Sequence, residues 1–279
     1  MISLPDQADA MAWTESALGT EAHSIRQVGG ESDQRVVYRV DTSTGPITVK
    51  GFRVPPPAAT FVSHERLHTA LGSNDVIRIP RALACSGAFV AYEWIDGTPI
   101  ASSGSYVLAG RALAALHAVE PESIGLTEET DMARHIEDLV KPHPLVLASS
   151  VPDAAPIVER ALDFLRESPG GPTAVLHRDF HSRQLIEEPD RVAVIDWDLL
   201  AAGDPAFDVA YMVTYLETHS IPFSAEFLDG YGDQSVRDRI DRYRVFNLVR
   251  RACRRFRLRD EGWEAEMWRM LAMADQALR

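Results

Sequence analysis

His177-Arg178-Asp179-Phe180-His181-Ser182-Arg183-Gln184 and, further along the chain, Ile195-Asp196-Trp197-Asp198 are the two stretches that decide the fold. Each follows a short apolar, β-branched run, Thr173 to Leu176 in the first case and Val192 to Ile195 in the second. Such runs bounded by charged residues read as buried strands. His177, Asp179, Asp196 and Asp198 therefore stand at strand exits, where a rigid scaffold can hold polar groups over a cleft.

Outward from this pair, the remainder of the second half reads as helical. Val107, Leu108, Ala112, Leu116 and Val119 form one apolar stripe over Tyr106 to Val119. The first third reads differently. Ser24 to Val28, Arg35 to Val40 and Pro46 to Phe52 are β-prone runs separated by Gly29-Gly30 and by Asp41 to Gly45, as hairpins require. Pro55 to Pro57 break the chain before a predicted helix, Ala59 to Leu71, and two more strands are expected near Ala82 to Cys85 and Ala88 to Ile95. The change of character at Asp96-Gly97 divides the chain into residues 1–96 and 97–279. The expected fold class is α+β, with an N-terminal antiparallel sheet plus one helix and a larger, mainly helical C-terminal lobe.

The first stretch matches the pattern H-R-D-x-x-x-x-N at every fixed position except the last, where Gln184 replaces Asn. With Ile195-Asp196-Trp197-Asp198 and Gly203-Asp204-Pro205-Ala206-Phe207-Asp208-Val209-Ala210 it resembles the aminoglycoside phosphotransferase family of protein-kinase-like small-molecule kinases. The resemblance runs from about Gly29 to Ala210 and includes an L-x-x-L-H helix at Leu113 to His117. It implies a two-lobed fold and ATP-dependent transfer of a phosphoryl group, with Mg²⁺, to a hydroxyl of a small molecule. In that scheme Asp179 orients and deprotonates the hydroxyl, Asp196 and Gln184 hold the metal, and Asp198 assists it. Asp204 and Asp208 read as braces of the loop and the following helix.

The front of the chain supports this reading. Lys50 and Lys141 are the only lysines, and Lys50 ends the run Ile47-Thr48-Val49-Lys50, which resembles the V-A-I-K strand whose lysine contacts the α and β phosphates. Such a lysine needs a carboxylate on the next helix, and Glu65 is the only acidic residue between Asp41 and Asp75. Gly29-Gly30 with Ser32 sits where a phosphate-covering hairpin belongs, with Gly30 allowing close approach of the backbone. Ala91 to Gly97 resembles the hinge that pairs with adenine. Glu93 and Ile95 are the expected pairing residues, with a one-residue shift to Tyr92 and Trp94 left open.

Composition excludes several classes. Residue usage, 46% apolar and 25% charged, is that of an ordinary globular protein. A net charge of −13 argues against nucleic acid as a partner. No stretch is long and apolar enough to span a membrane, and no basic, apolar leader opens the chain, so a cytoplasmic location is expected. Cys85 and Cys253 read as reduced thiols rather than a disulfide or zinc pair. The acceptor itself stays open, as an antibiotic such as an aminoglycoside or a metabolic amino alcohol, sugar or intermediate. The acidic net charge suits a cationic acceptor, whereas Arg250, Arg251, Arg254, Arg255, Arg257 and Arg259 suit an anionic one or simply a solvated basic face. Monomer and homodimer are both compatible with the sequence. The rival reading is a non-catalytic nucleotide-binding pseudokinase, which Gln184 keeps open and which the retention of Lys50, Glu65, Asp179 and Asp196 opposes.

Overall fold

A computed structural model describes residues 3–29, 34–56, 58–166 and 171–279. Residues 30–33, and with them the phosphate-hairpin positions Gly30 and Ser32, lie outside the described residues.

The chain opens with a helix, α1 (Gln7–Leu18), closed at its N-terminus by an Asp6/Asp9 capping box. Strands β1 (Ala22–Gly29), β2 (Arg35–Thr42) and β3 (Gly45–Phe52) follow, and then helix α2 (Ala58–Leu71). After the short β4 (Ile77–Arg78) come β5 (Ala82–Ser86) and β6 (Phe89–Glu93). Five of these strands form an antiparallel sheet in the order β1-β2-β3-β6-β5. Val36, Tyr38 and Val40 of β2 alternate inward, as a half-buried strand requires, and pack with Val49, Phe89 and Ala91 against Ala10 of α1. This places α1, which hydrophobic periodicity did not announce, under the sheet.

The second half is built on helices α3 (Ser103–His117), α4 (Met132–Leu139), α5 (Pro144–Ser150) and α6 (Ala155–Arg166). Strands β7 (Ala174–Leu176), β8 (Leu185–Glu187), β9 (Val192–Val194) and β10 (Ala201–Gly203) come next, ahead of helices α7 (Ala206–Thr218), α8 (Ser224–Tyr231), α9 (Arg237–Leu258) and α10 (Trp263–Ala277). A continuous apolar core runs through these helices, with Leu113, Leu116, Phe207, Leu216, Phe227, Phe246 and Leu271 fully buried. Helices α3 and α8 approach closely because Gly110 meets the Phe227 carbonyl and Gly230 meets that of Val107; a Cβ at either would overlap backbone.

Two small sheets carry the strand exits. β7 pairs with β10, and β9 lies between β4 and β8, parallel to the first and antiparallel to the second. β4, contributed by the first half of the chain, thus joins the sheet of the second. The segment between β6 and α3 is also anchored there, with Ile100 N–H donating to the Leu185 carbonyl at 3.0 Å and Glu187 N–H to that of Thr98 at 2.9 Å. Among the described residues no helix is long and apolar enough to cross a membrane. Cys253 is buried, Cys85 half-buried, and both are free.

Candidate active site

The turn leaving β7 is held from beneath by one carboxylate. Asp208, in the first turn of α7 and fully buried, accepts from the backbone N–H of His177 at 2.7 Å and of Arg178 at 2.8 Å. Such double acceptance satisfies a buried charge that would otherwise be costly. It also fixes Arg178 in the left-handed region, φ 63°, a conformation that costs a non-glycine residue about 1–3 kcal/mol. The Arg178 guanidinium is tied down as well, by Asp138 of α4 at 3.1 Å. The His177 ring then joins the two strand exits: its Nε2 donates to the Ile195 carbonyl at 2.9 Å, and its Nδ1 accepts from Asp179 N–H at 3.3 Å. Trp197 stacks edge-on over the same ring, 4.6 Å between centroids, and anchors its indole N–H on the Val194 carbonyl. Asp179 and Asp196 are therefore held relative to each other by one imidazole. The brace expected at Asp208 is present, and Asp204 likewise accepts Ala206 N–H at 2.9 Å.

Asp179 has neutral and distant partners. Tyr211 of α7 donates its hydroxyl to Oδ1 at 2.7 Å, Arg250 of α9 lies 3.7 Å from the same oxygen, and His181 lies 3.6 Å from Oδ2. Burial alone would raise the pKa of this carboxyl. His181, the charge of Arg250 and the Tyr211 hydroxyl outweigh it and hold the group far below the ordinary carboxylate range, so Asp179 is ionised. Gln184 Nε2 lies 3.4 Å from Asp179 and 3.2 Å from Asp196, which sets the two carboxylates on either side of one amide.

Asp196, at φ 69°, is surrounded by cations. Lys50 of β3, its side chain only 6% exposed, places Nζ 2.6 Å from Asp196 Oδ1 and 2.7 Å from Asp198 Oδ1. Arg35 of β2 grips Asp196 with both Nη atoms, at 2.8 and 2.6 Å, and also pairs with Asp198. Burial opposes the charge on each partner, but their mutual attraction wins. It pushes Lys50 and Arg35 up and Asp196 down from their usual values.

The expected Lys50–Glu65 pair is not formed. Glu65 is exposed on the outer face of α2, and the inward positions of that helix are Ser63, His64, Leu67 and Leu71. His64 takes the place nearest the site. Its Nε2 meets the Pro80 carbonyl at 2.7 Å, its ring lies 4.9 Å from that of Tyr92, and burial pushes its pKa down to about 4. The reason is helical phase: 100° separates adjacent residues, so the apolar contacts of Leu67 and Leu71 turn position 64 inward and position 65 out.

In the segment that resembles a hinge, Glu93 already spends its N–H on the Arg81 carbonyl at 2.8 Å and its carboxylate on Arg78. Ile95 is nearly buried, and its N–H has no acceptor among the described residues. Tyr92 turns its ring inward over Lys50, 5.6 Å away, while Trp94 lies under Arg39 at 4.9 Å and donates to Asp96. Tyr211, Arg35, Asp138 and His64 were not marked by the sequence, and Arg250 was marked only as one of a basic cluster, not as a neighbour of Asp179. Tyr211 alone carried a local signal, lying one helical turn beyond Asp208 and thus on the same face of α7.

Among the described residues no three His, Cys, Asp or Glu side chains converge into a self-sufficient metal cage. Two carboxylates and an amide nevertheless suit Mg²⁺, which commonly takes one or two carboxylates and completes its shell with phosphate and water oxygens. The carboxylates of Asp196 and Asp198 fit that ion, whereas Gln184 turns its Nε2 toward Asp179 and Asp196 and would have to present its amide oxygen to join them.

The sequence profile of the phosphotransferase enzyme family matches residues 24–246. The chain belongs to that family. Its backbone superimposes on an amicoumacin kinase in complex with AMP-PNP, Ca²⁺ and Ami, with a TM-score of 0.72 at 11% identity over 98% of this chain and 94% of that one. A spectinomycin phosphotransferase in complex with ADP and spectinomycin gives 0.66 at 14% identity over 98% of both chains. At such identities the likeness establishes the fold, protein-kinase-like with an antiparallel N-terminal sheet and a helical remainder. Among curated proteins, a probable acyl-CoA dehydrogenase of Arabidopsis thaliana, IBR3, is 27% identical over 173 residues, covering 51% of this chain. The chain spans about a fifth of the length of that relative, 21%. Family and fold together make this chain a phosphotransferase-family member with a protein-kinase-like fold.

Proposed function

We propose that this phosphotransferase transfers the γ-phosphoryl group of ATP to a hydroxyl of a small molecule, with Mg²⁺, in the cleft bounded by residues 1–96 on one side and 97–279 on the other. The observation that carries the reading is the ionised Asp179, joined through Gln184 to Asp196, which in turn is paired with the buried Lys50. Asp179 accepts the proton of the attacking hydroxyl, while its contact with Tyr211 fixes one carboxylate oxygen and leaves the other with only the longer contacts to Gln184 and His181. A new bond forms between the hydroxyl oxygen and the γ-phosphorus, the bond to the bridging oxygen breaks, and ADP leaves. Asp196, Asp198 and Gln184 would hold Mg²⁺, which supplies neutralisation of phosphate charge when bound. Lys50 and Arg35 are the cations on hand for the phosphates, in place of the Lys50–Glu65 arrangement anticipated from sequence. The free N–H of Ile95 and the backbone of Glu93 are the groups for adenine, with Tyr92 and Trp94 flanking them; Gly30 and Ser32 remain assigned to the phosphate hairpin. A cytoplasmic location belongs to the same reading, because the reaction consumes ATP.

The test is ADP release over a panel of hydroxylated antibiotics, amino alcohols, sugars and hydroxy acids with Mg²⁺ present. Acceptor-dependent release that is lost in Asp179→Asn is the expected result. Binding of AMP-PNP with no acceptor-dependent release from any class would overturn it.

A further inference from the structure

Helix α9 carries two kinds of arginine. Arg239, Arg244 and Arg255 are neutralised at the surface or in the core by Asp204 at 2.8 Å, Glu217 at 2.6 Å and Asp260 at 2.6 Å. Arg250 is only loosely paired, and Arg251 is not paired among the described residues. Arg250 lies over the Tyr211 ring at 5.1 Å, and among the described residues its one ion pair is with Asp179 at 3.7 Å, through an oxygen that also accepts from Tyr211. Its Nη1 is buried with no hydrogen-bond partner. Arg251, half-buried over the Tyr215 ring at 5.5 Å, has no carboxylate in ion-pair reach among the described residues. Burial, with Arg250 and Arg254 nearby, pushes its guanidinium below the usual value.

Partly desolvated guanidinium groups with unmet donors are costly, and an anionic ligand can supply the missing counter-charge. Both lie on the wall that carries the base. His181, 3.6 Å from Asp179, stacks flat on Tyr215 at 4.7 Å and 5°, and Arg251 covers that same Tyr215. Resting on the phosphotransferase reading of this site, we propose that the acceptor is a hydroxylated oxyanion, a hydroxy acid or a phosphorylated polyol or sugar, whose carboxylate or phosphate is bound by Arg250 and Arg251 while its hydroxyl reaches Asp179. A guanidinium fork matches such planar or tetrahedral oxygens geometrically. The same two cations repel an ammonium, so cationic aminoglycosides and amino alcohols are disfavoured despite the net charge of −13, which resides elsewhere on the molecule.

Calorimetric titration in the presence of AMP-PNP and Mg²⁺ tests this with matched probes. The carboxylate arm is glycerate and gluconate, the phosphate arm glycerol 3-phosphate and glucose 6-phosphate, the neutral arm glycerol and glucose, and the cationic arm serinol and glucosamine. Saturable binding is expected in one anionic arm, which identifies the oxyanion, and not in the neutral or cationic arms. Arg251→Ala and Arg250→Ala are expected to weaken that binding about 10- to 100-fold, the loss of one or two charge-assisted hydrogen bonds, and Arg251→Lys to weaken it less. The AMP-PNP affinity of the same proteins, measured first, reports that they are folded. Absence of binding in both anionic arms, preferential binding of the cationic arm, or unchanged anion affinity in both Arg251→Ala and Arg250→Ala would overturn the inference. ADP release from the bound probe is read separately. Arginine-dependent anion binding without ADP release supports the anion site and counts against the phosphoryl-transfer reading alone.

Discussion

Asp179 and Asp196 follow strands of two different small sheets, share the amide of Gln184, and are both held ionised, yet they are held by opposite means. Asp196 sits between a buried lysine and a bidentate arginine, full charges at 2.6 to 2.8 Å. Asp179 rests on a neutral phenol at 2.7 Å, with its nearest cation at 3.7 Å. The difference teaches what each is fitted to exchange. A carboxylate accustomed to full positive charge can trade ammonium and guanidinium for a metal ion without a change of state. A carboxylate braced by a hydroxyl keeps a lone pair for another hydroxyl's proton.

The largest expected effect breaks the comparison on the Asp179 side. Asp179→Asn keeps the shape and removes the base, so kcat for acceptor phosphorylation should fall about 10²- to 10⁴-fold. Turnover within a few-fold of wild type would remove Asp179 from the chemistry. On the Asp196 side the first expected effect is on stability. Lys50→Ala leaves Asp196 and Asp198 with Arg35 as their remaining pairing cation, and the loss of one partner from a buried ion cluster costs about 3 kcal/mol, read from urea unfolding. A loss below about 1 kcal/mol would mean that the cluster is solvated and the contrast with Asp179 weaker than drawn.

His64, between Tyr92 and Trp197, sharpens the same contrast through pH. Its folded pKa is about 4 against 6.5 for the free side chain, so protonation favours the unfolded chain. The stability it contributes is complete above about pH 6.5 and is lost as pH falls toward 4, a change of about 3 kcal/mol. His64→Gln should flatten that part of the unfolding profile; an unaltered slope would show that His64 is not the titrating group. The smallest effect belongs to Glu65→Ala, which should change kcat less than about twofold and stability by less than about 0.5 kcal/mol. A large kcat loss, non-additive with that of Lys50→Ala, would restore the Lys50–Glu65 pair.

That last case marks where sequence stopped being sufficient. The strands before His177 and Asp196, the hairpins of the sheet and helix α2 were legible within a few residues, because each rests on local periodicity and turn chemistry. The motif marked Lys50 as a site residue but gave it Glu65 as partner; its meeting with Asp196 and Asp198 was not anticipated. Glu65 was chosen for its charge, but charge does not set helical phase; the packing of Leu67 and Leu71 does, and it turned His64 inward. The contacts of Arg35, Arg250 and Tyr211 were illegible for a different reason. Each reaches its carboxylate across a tertiary contact, Arg35 to Asp196 from 161 residues away and Tyr211 to Asp179 from 32, and no local pattern specifies such a meeting. The arginines of α9 were visible as a cluster, while their division into paired and unpaired members depends on which acids the fold brings near.

The division of labour between the two carboxylates is tested most directly by the Mg²⁺ dependence of AMP-PNP binding, measured by calorimetry in Asp179→Asn and Asp196→Asn. If Asp196 holds the metal and Asp179 serves the acceptor, Asp179→Asn binds AMP-PNP with Mg²⁺ within about threefold of wild type, whereas Asp196→Asn loses the Mg²⁺-dependent part of the affinity, about tenfold or more. Loss of that Mg²⁺-dependent affinity in Asp179→Asn, or its survival in Asp196→Asn, would contradict the account.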